Sequence, residues 1–283
     1  EHQLSCLARK YFSYSRATMV STFKAVNAQG YQQIMGRFST RLATSFLSYI
    51  GQESGQAILD LGCGTGSMTF ALAERGDHKS IVGIDLSEAY VECARARTDD
   101  ARIRFEVADG SALPFEDNTF DRAVSQLVLQ FMPDPFPAVQ EMYRVVKPGG
   151  LIAACVWDSY GGMSHLRMLY DTASALGFDQ DRTLLRPMTT GGDLESMWER
   201  AGLEQIEEDS ISMRFEYENF EDYWSSFLSG DGTPGSMVMG LAPEHRATLH
   251  EQVRHVFLSG KPDGFRSFLA SAWICKGIVP ETT

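Results

Sequence analysis

Asp60-Leu61-Gly62-Cys63-Gly64-Thr65-Gly66, entered from Ala57-Ile58-Leu59, decides the fold of this chain. A short apolar run suited to a buried strand gives way at once to three glycines, and a helix is expected near 66–75. Glycines at such a turn let the backbone approach a ligand closely, and a helix N-terminus offers free N–H groups. A ligand therefore belongs against the turn; a tight connection with no ligand is the alternative. The spacing excludes two readings. The dinucleotide fingerprint keeps two residues between its second and third glycines, where only Thr65 stands here, and no Lys-Ser or Lys-Thr follows as a phosphate-binding P-loop requires.

Outward from this turn, short apolar runs alternate with longer helical ones, the pattern of strand-helix-strand units in a parallel sheet. Strands are predicted at 57–61, 80–85, 103–107, 120–125 and 150–157, with helices near 66–75, 87–97 and 135–146. Lys147-Pro148-Gly149-Gly150 stops the last helix and turns the chain into the next strand. Upstream, Leu42, Phe46, Leu47 and Ile50 mark a helix over 31–50 that ends near Gly51. Beyond Asp158, helices are expected near 163–176, 193–201, 219–229 and 243–258, flanking strands at 204–215 and 265–276 that close the sheet as an antiparallel hairpin. Residues 229–236, SGDGTPGS, read as a loop.

Two carboxylates follow the glycine turn in order. Asp85 ends the second strand in Gly83-Ile84-Asp85-Leu86-Ser87, where an acidic residue accepts hydrogen bonds from ribose hydroxyls. Its other reading is a helix cap, a role that Ser87 can fill instead. Asp109 follows the third strand in Val107-Ala108-Asp109-Gly110; it can accept from an exocyclic amine, with Ala108 and Leu86 offering apolar surface to a flat base. Alone, Asp-Gly is a common turn signal.

Taken together, DLGCGTG, GIDLS, VADGSALPF, FDRAVSQLVLQF and VVKPGG resemble the successive motifs of class I S-adenosylmethionine-dependent methyltransferases, in the small-molecule, type 11-like subgroup. The resemblance covers roughly residues 31–157. It implies an α/β fold: a seven-stranded, mostly parallel, doubly wound Rossmann-like sheet with helices on both faces and a helical cap inserted near the C-terminal strands. The implied domain plan is an N-terminal extension or lid over 1–30, a cofactor-binding core over 31–157, and a C-terminal part with substrate-capping helices over 158–283.

The cofactor implied is S-adenosyl-L-methionine. Gly62, Gly64 and Gly66 would hold its methionine part, Asp85 its ribose, and Asp109 with Ala108 and Gly110 its adenine, with Asp60 and Leu86 also among the cofactor-binding residues. Ser125 and Gln126, ending the fourth strand, would face the reaction centre. Tyr31 to Ser39 resembles an N-terminal element of one bacterial subgroup, in which Arg37 would pair with the methionyl carboxylate, a geometry that suits a planar guanidinium. A surface arginine is the other reading of Arg37; Tyr31 and Met35 are lesser candidates.

Methyl transfer from a sulfonium is an in-line displacement, so the protein chiefly aligns the reactants and excludes water. A base is required only where the nucleophile must lose a proton. Asp158 and His165, beyond the fifth strand, are the candidates, with a turn aspartate and a helix-surface histidine as their alternatives. Phe215, Tyr217, Phe220, Tyr223, Trp224 and Phe227, with Met237 and Met239, pack as core for the most part, one or two of them touching a hydrophobic or aromatic acceptor.

Composition fits an enzyme of the cytoplasm. The net charge of −12 over 283 residues argues against nucleic acid, and no apolar run reaches the ~20 residues of a membrane span. Five scattered cysteines form no Cys-x-x-Cys pair and no zinc spacing, so neither disulfide nor metal is expected. A small-molecule acceptor is the expected partner, and a homodimer is left open. Residues 1–18 read as sequence outside the fold, a lid helix or a targeting peptide. Competing functions are a non-catalytic cofactor-binding regulator, a methyltransferase of proteins, and a nicotinamide oxidoreductase, the last disfavoured by glycine spacing.

Overall fold

The computed structural model describes residues 36–51, 53–159, 161–178, 190–228 and 232–281. The extension at 1–30, Tyr31 and Met35 lie outside them, as does the part of the predicted first helix that precedes Gly36.

Strands β1 (Ala57–Leu61), β2 (Ser80–Asp85), β3 (Ile103–Val107), β4 (Phe120–Gln126) and β5 (Val146–Trp157) run parallel, and β7 (Arg266–Ile278) and β6 (Glu204–Tyr217) extend the sheet antiparallel. The seven strands stand in the order β3-β2-β1-β4-β5-β7-β6. This is the α/β doubly wound sheet that the sequence predicts. The order reverses between β1 and β4, which opens a crevice at the carboxyl ends of the strands.

Alternation along each strand divides the core between two faces. Ile58, Val124, Ala153 and Cys155 face one cluster, and their neighbours Leu59, Ala123, Ala154 and Val156 face another. Helices α1 (Arg37–Ile50), α2 (Ser67–Arg75) and α5 (Ser164–Ala175) fill the first face. Helices α4 (Phe136–Val145) and α6 (Asp193–Ala201) fill the second through Val139, Met142 and Trp198. Helix α3 (Glu88–Arg95) packs Val91 and Ala94 on Phe105 and Cys63.

Helices α7 (Phe220–Ser225), α8 (Gly232–Gly240) and α9 (Pro243–Leu258) run between β6 and β7. The last two strands are therefore paired antiparallel as expected, and the helices expected near 219–229 and 243–258 run between them together with α8. Helix α8 corrects the loop reading over 232–236; residues 229–231 lie outside the described residues. Pro234 stands in its first turn, where backbone N–H groups have no partner within the helix, and Val238 buries its side chain in the core. Strand β5 also starts before the expected Gly150. Phe120 pairs with Val146 and Arg122 with Leu151, so residues 147–150 bulge, held by Lys147 on Asp121 at 2.6 Å.

The aromatic residues expected to roof a pocket, Phe215, Tyr217, Phe220, Tyr223, Trp224 and Phe227, are core. Phe38 of α1 stacks on Phe215 with ring centroids 3.8 Å apart, and Tyr217, Phe220 and Tyr223 are each no more than 2% exposed. Replacing Phe38 by alanine removes the ring that seats α1 on the sheet. We expect Phe38→Ala to lower unfolding free energy by about 3–5 kcal/mol in a denaturant titration.

Candidate functional site

At the switch point a cavity of about 550 Å³ opens between the carboxyl ends of β1, β2, β3 and β4. Its base is the glycine turn. Gly62 and Cys63 both donate their N–H groups to the Ile84 carbonyl at 2.8 Å, and Gly64 donates to Asp85 Oδ2 at 2.9 Å. The turn thus hangs from the end of β2. Gly62 lies at φ +74°, and a Cβ there would meet Val128 at 2.2 Å; this position admits no side chain. Gly64 lies at φ +54°, but nothing stands within 4 Å of where its Cβ would be, so the backbone faces open space.

Asp85 does more than cap. Its Oδ1 accepts from the Ser87 N–H at 2.9 Å, while Ser87 caps α3 by accepting from the Tyr90 N–H at 3.4 Å. Asp85 lines the cavity, and a carboxylate has more acceptor sites than these bonds use. Burial raises the Asp85 carboxyl above its ordinary range against the opposing backbone bonds.

Asp60 is the deepest charge. It is fully buried on β1, its Oδ2 accepts from Thr69 Oγ at 2.6 Å, and its Oδ1 has no partner among the described residues although Asp60 lines the cavity. Burial pushes its pKa up to about 7, the Thr69 bond opposing and the Asp85 charge adding to the rise. Desolvation and the same two aspartates also raise the Cys63 thiol.

Asp109 holds a turn by accepting from the Ser111 N–H at 2.8 Å, and it lines the cavity beside Ala108 and Gly110. Leu86 and Val107 stand open to solvent at 69% and 47%, an apolar rim unusual beside polar turns. At the other end β4 delivers Gln126. Its Nε2 donates to the Ser39 carbonyl of α1 at 3.0 Å, which brings that helix against the cavity. Leu127 follows at φ +64°, strained for a residue with a side chain, with its N–H bonded to the Cys155 carbonyl at 2.7 Å.

Asp60, Gly62, Gly64, Asp85, Leu86, Ala108, Asp109, Gly110 and Gln126 are therefore brought to one cavity. The others are not. Gly66 caps α2, where a Cβ would meet the Phe70 ring at 2.6 Å, and Ser125 is fully buried. Arg37 turns away to Asp222 at 3.4 Å and lies 5.5 Å from the Tyr217 ring, the surface-arginine reading. Asp158 accepts from the Gly161 N–H at 3.0 Å and serves its turn. His165 is neither on the helix surface nor on the cavity. It is 3% exposed, its ring lies 4.5 Å from that of Phe215, and burial lowers its pKa to about 3. None of the aromatic residues from Phe215 to Phe227 lines this cavity.

Sequence reasoning missed Ser39, Met68, Leu127 and Phe131, with Met132-Pro133-Asp134 at the rim. The last three carried a signal, a proline turn after the short 3-10 helix Leu129–Phe131 that follows β4. Among the described residues, no group of three His, Cys, Asp or Glu side chains is placed to hold a metal, and no helix is long and apolar enough to cross a membrane.

Comparison with known proteins agrees with this geometry. Residues 59–154 match the family model described as a methyltransferase domain. A demethylmenaquinone methyltransferase of Bacillus cereus is 33% identical over 173 residues, 55% of this chain and 73% of the relative. One of Clavibacter sepedonicus is 41% identical over 111 residues, 39% of this chain and 44% of the relative. This chain thus spans about half the length of several curated relatives it matches. In fold it resembles phosphoethanolamine N-methyltransferase 2 of Haemonchus contortus, solved with S-adenosyl-L-methionine, at a TM-score of 0.57, with 16% identity over 90% of this chain and 57% of that one.

The raised Asp60 pKa has a consequence for stability. The unfolded carboxyl ionises from its ordinary 3.8, the folded one only near 7, so this residue lowers stability as pH climbs between the two values. The loss levels off above 7 at roughly 4 kcal/mol. Thermal melts of wild type and Asp60→Asn across pH 4–8 should show a slope that the asparagine variant lacks.

Proposed function

Because the chain belongs to the class I S-adenosylmethionine-dependent methyltransferases, we propose that it transfers a methyl group from S-adenosylmethionine to a small, flat, hydrophobic acceptor of quinol type. The observation that carries the reading is the unpartnered Asp60 Oδ1 beside a glycine turn open to the cavity. An anionic oxygen without a partner suits the ammonium of an amino acid, and Gly64 leaves room for the chain that bears it. The residues present therefore fit the cofactor, which when bound supplies an electrophilic methyl on a positively charged sulfur.

Each wall has its task. Asp85 accepts from a pair of ribose hydroxyls with the lone pairs its backbone bonds leave over. Asp109 accepts from the exocyclic amine of adenine, and Leu86 and Ala108 cover the faces of the base. Gln126 and Leu127, at the end of β4, wall the reaction centre together with Met68 and Phe131, an apolar surround that excludes water from the displacement. Alignment and desolvation are the chain's main contributions, since neither Asp158 nor His165 lines the cavity. The acceptor class is the one that the names of the curated relatives carry.

Incubation with methyl-labelled S-adenosylmethionine and a reduced naphthoquinone should give a labelled product by mass spectrometry. Asp85→Ala should weaken cofactor affinity at least tenfold, through loss of both the ribose acceptor and the brace on Gly64. Labelled product from other acceptor classes alone would refute the quinol assignment, and absence of any labelled product would refute the transfer.

A further inference from the structure

The Gln126 amide is locked in orientation. Its Nε2 donates to the carbonyl of Ser39 at 3.0 Å, and turning the amide over would set two oxygens against each other. Its Oε1 is consequently fixed as an acceptor, and it has no partner among the described residues. The Ser39 hydroxyl has none either. Other hydroxyls of the same helix bond back to carbonyls one turn earlier: Thr44 to Thr40 at 3.3 Å, Ser45 to Arg41 at 3.5 Å and Ser48 to Thr44 at 3.0 Å. Ser39 is 3% exposed and Gln126 8%, and both line the cavity. Two buried polar groups left unsatisfied carry a desolvation cost that a ligand can remove.

We propose that Ser39 and Gln126 form a polar clasp for the hydroxyl of the methyl acceptor, a reading that rests on the function proposed above. Gln126 Oε1 accepts the hydroxyl proton, and Ser39 Oγ donates to the hydroxyl oxygen. Both partners then need an acceptor with a free O–H, and an ether at that position fits neither. Leu127, Met68 and Phe131 supply the apolar surface for the ring that bears it. Ser39 and Gln126 thus select hydroxylated over blocked rings and do not bind the cofactor.

The test is a calorimetric comparison of 1,4-dihydroxynaphthalene with 1,4-dimethoxynaphthalene, each titrated under reducing conditions into protein saturated with S-adenosylhomocysteine. Wild type is expected to favour the dihydroxy compound at least tenfold. Ser39→Ala, which disturbs no backbone bond, should reduce that preference to about twofold or less while S-adenosylhomocysteine affinity stays within twofold, and Gln126→Leu should reduce the preference likewise. Equal binding of the two naphthalenes, no binding of either, or a preference that survives in Ser39→Ala would overturn the clasp. Loss of S-adenosylhomocysteine affinity in Ser39→Ala would also overturn it, by assigning the pair to the cofactor. Failure of wild type to bind S-adenosylhomocysteine would overturn the underlying reading itself, and the clasp with it.

Discussion

The hydrogen bonds between the glycine turn and the end of β2 are the constraint on which the site depends. Ile84 receives two N–H groups through its carbonyl and Asp85 a third through its carboxylate, so three successive residues, Gly62 to Gly64, are suspended from a neighbouring strand. A turn held this way cannot close over its own cavity. The parallel register of β1 and β2, Leu61 opposite Ile84, places donors and acceptors at the same height. Register, turn and cavity are one arrangement.

The two faces of the sheet divide the remaining work. The face that carries α4 and α6 is a sealed aliphatic core around Trp198. The other carries α1, tied to the strand ends by Gln126 and seated by the stacked rings of Phe38 and Phe215. Helices α7, α8 and α9 secure that seat from the far side, where Tyr223 donates its hydroxyl to the His165 carbonyl at 2.8 Å. They act on the cavity through α1 and not by lining it. The acidic run along β6, which bounds the sheet, keeps that open edge charged.

Much of this was legible in the sequence, because strand periodicity and glycine spacing are local signals. Strands β1, β2 and β3 fall where the alternation puts them, and Asp60, Asp85 and Asp109 meet at one cavity. What escaped depends on distant partners. Arg37 was free to reach a ligand until Asp222, far along the chain, is seen beside it. His165 looked like a surface histidine because nothing near it in sequence announces the Phe215 ring that buries it. Helix α8 was hidden by its own glycines and proline, whose helical placement is decided by the burial of Val238. Ser39 lay only at the end of the Tyr31–Ser39 resemblance, and the arrival of Gln126 is what gives it a role.

The central claim is that Asp60, held near neutrality by burial, awaits a cationic amine. Calorimetric titration of S-adenosylmethionine at pH 7, in two buffers of different ionisation enthalpy, tests it directly. With the Asp60 pKa at about 7, the account predicts saturable one-to-one binding with release of roughly half a proton, abolished in Asp60→Asn. Absence of saturable binding, or binding whose proton release is the same in the variant, would contradict it.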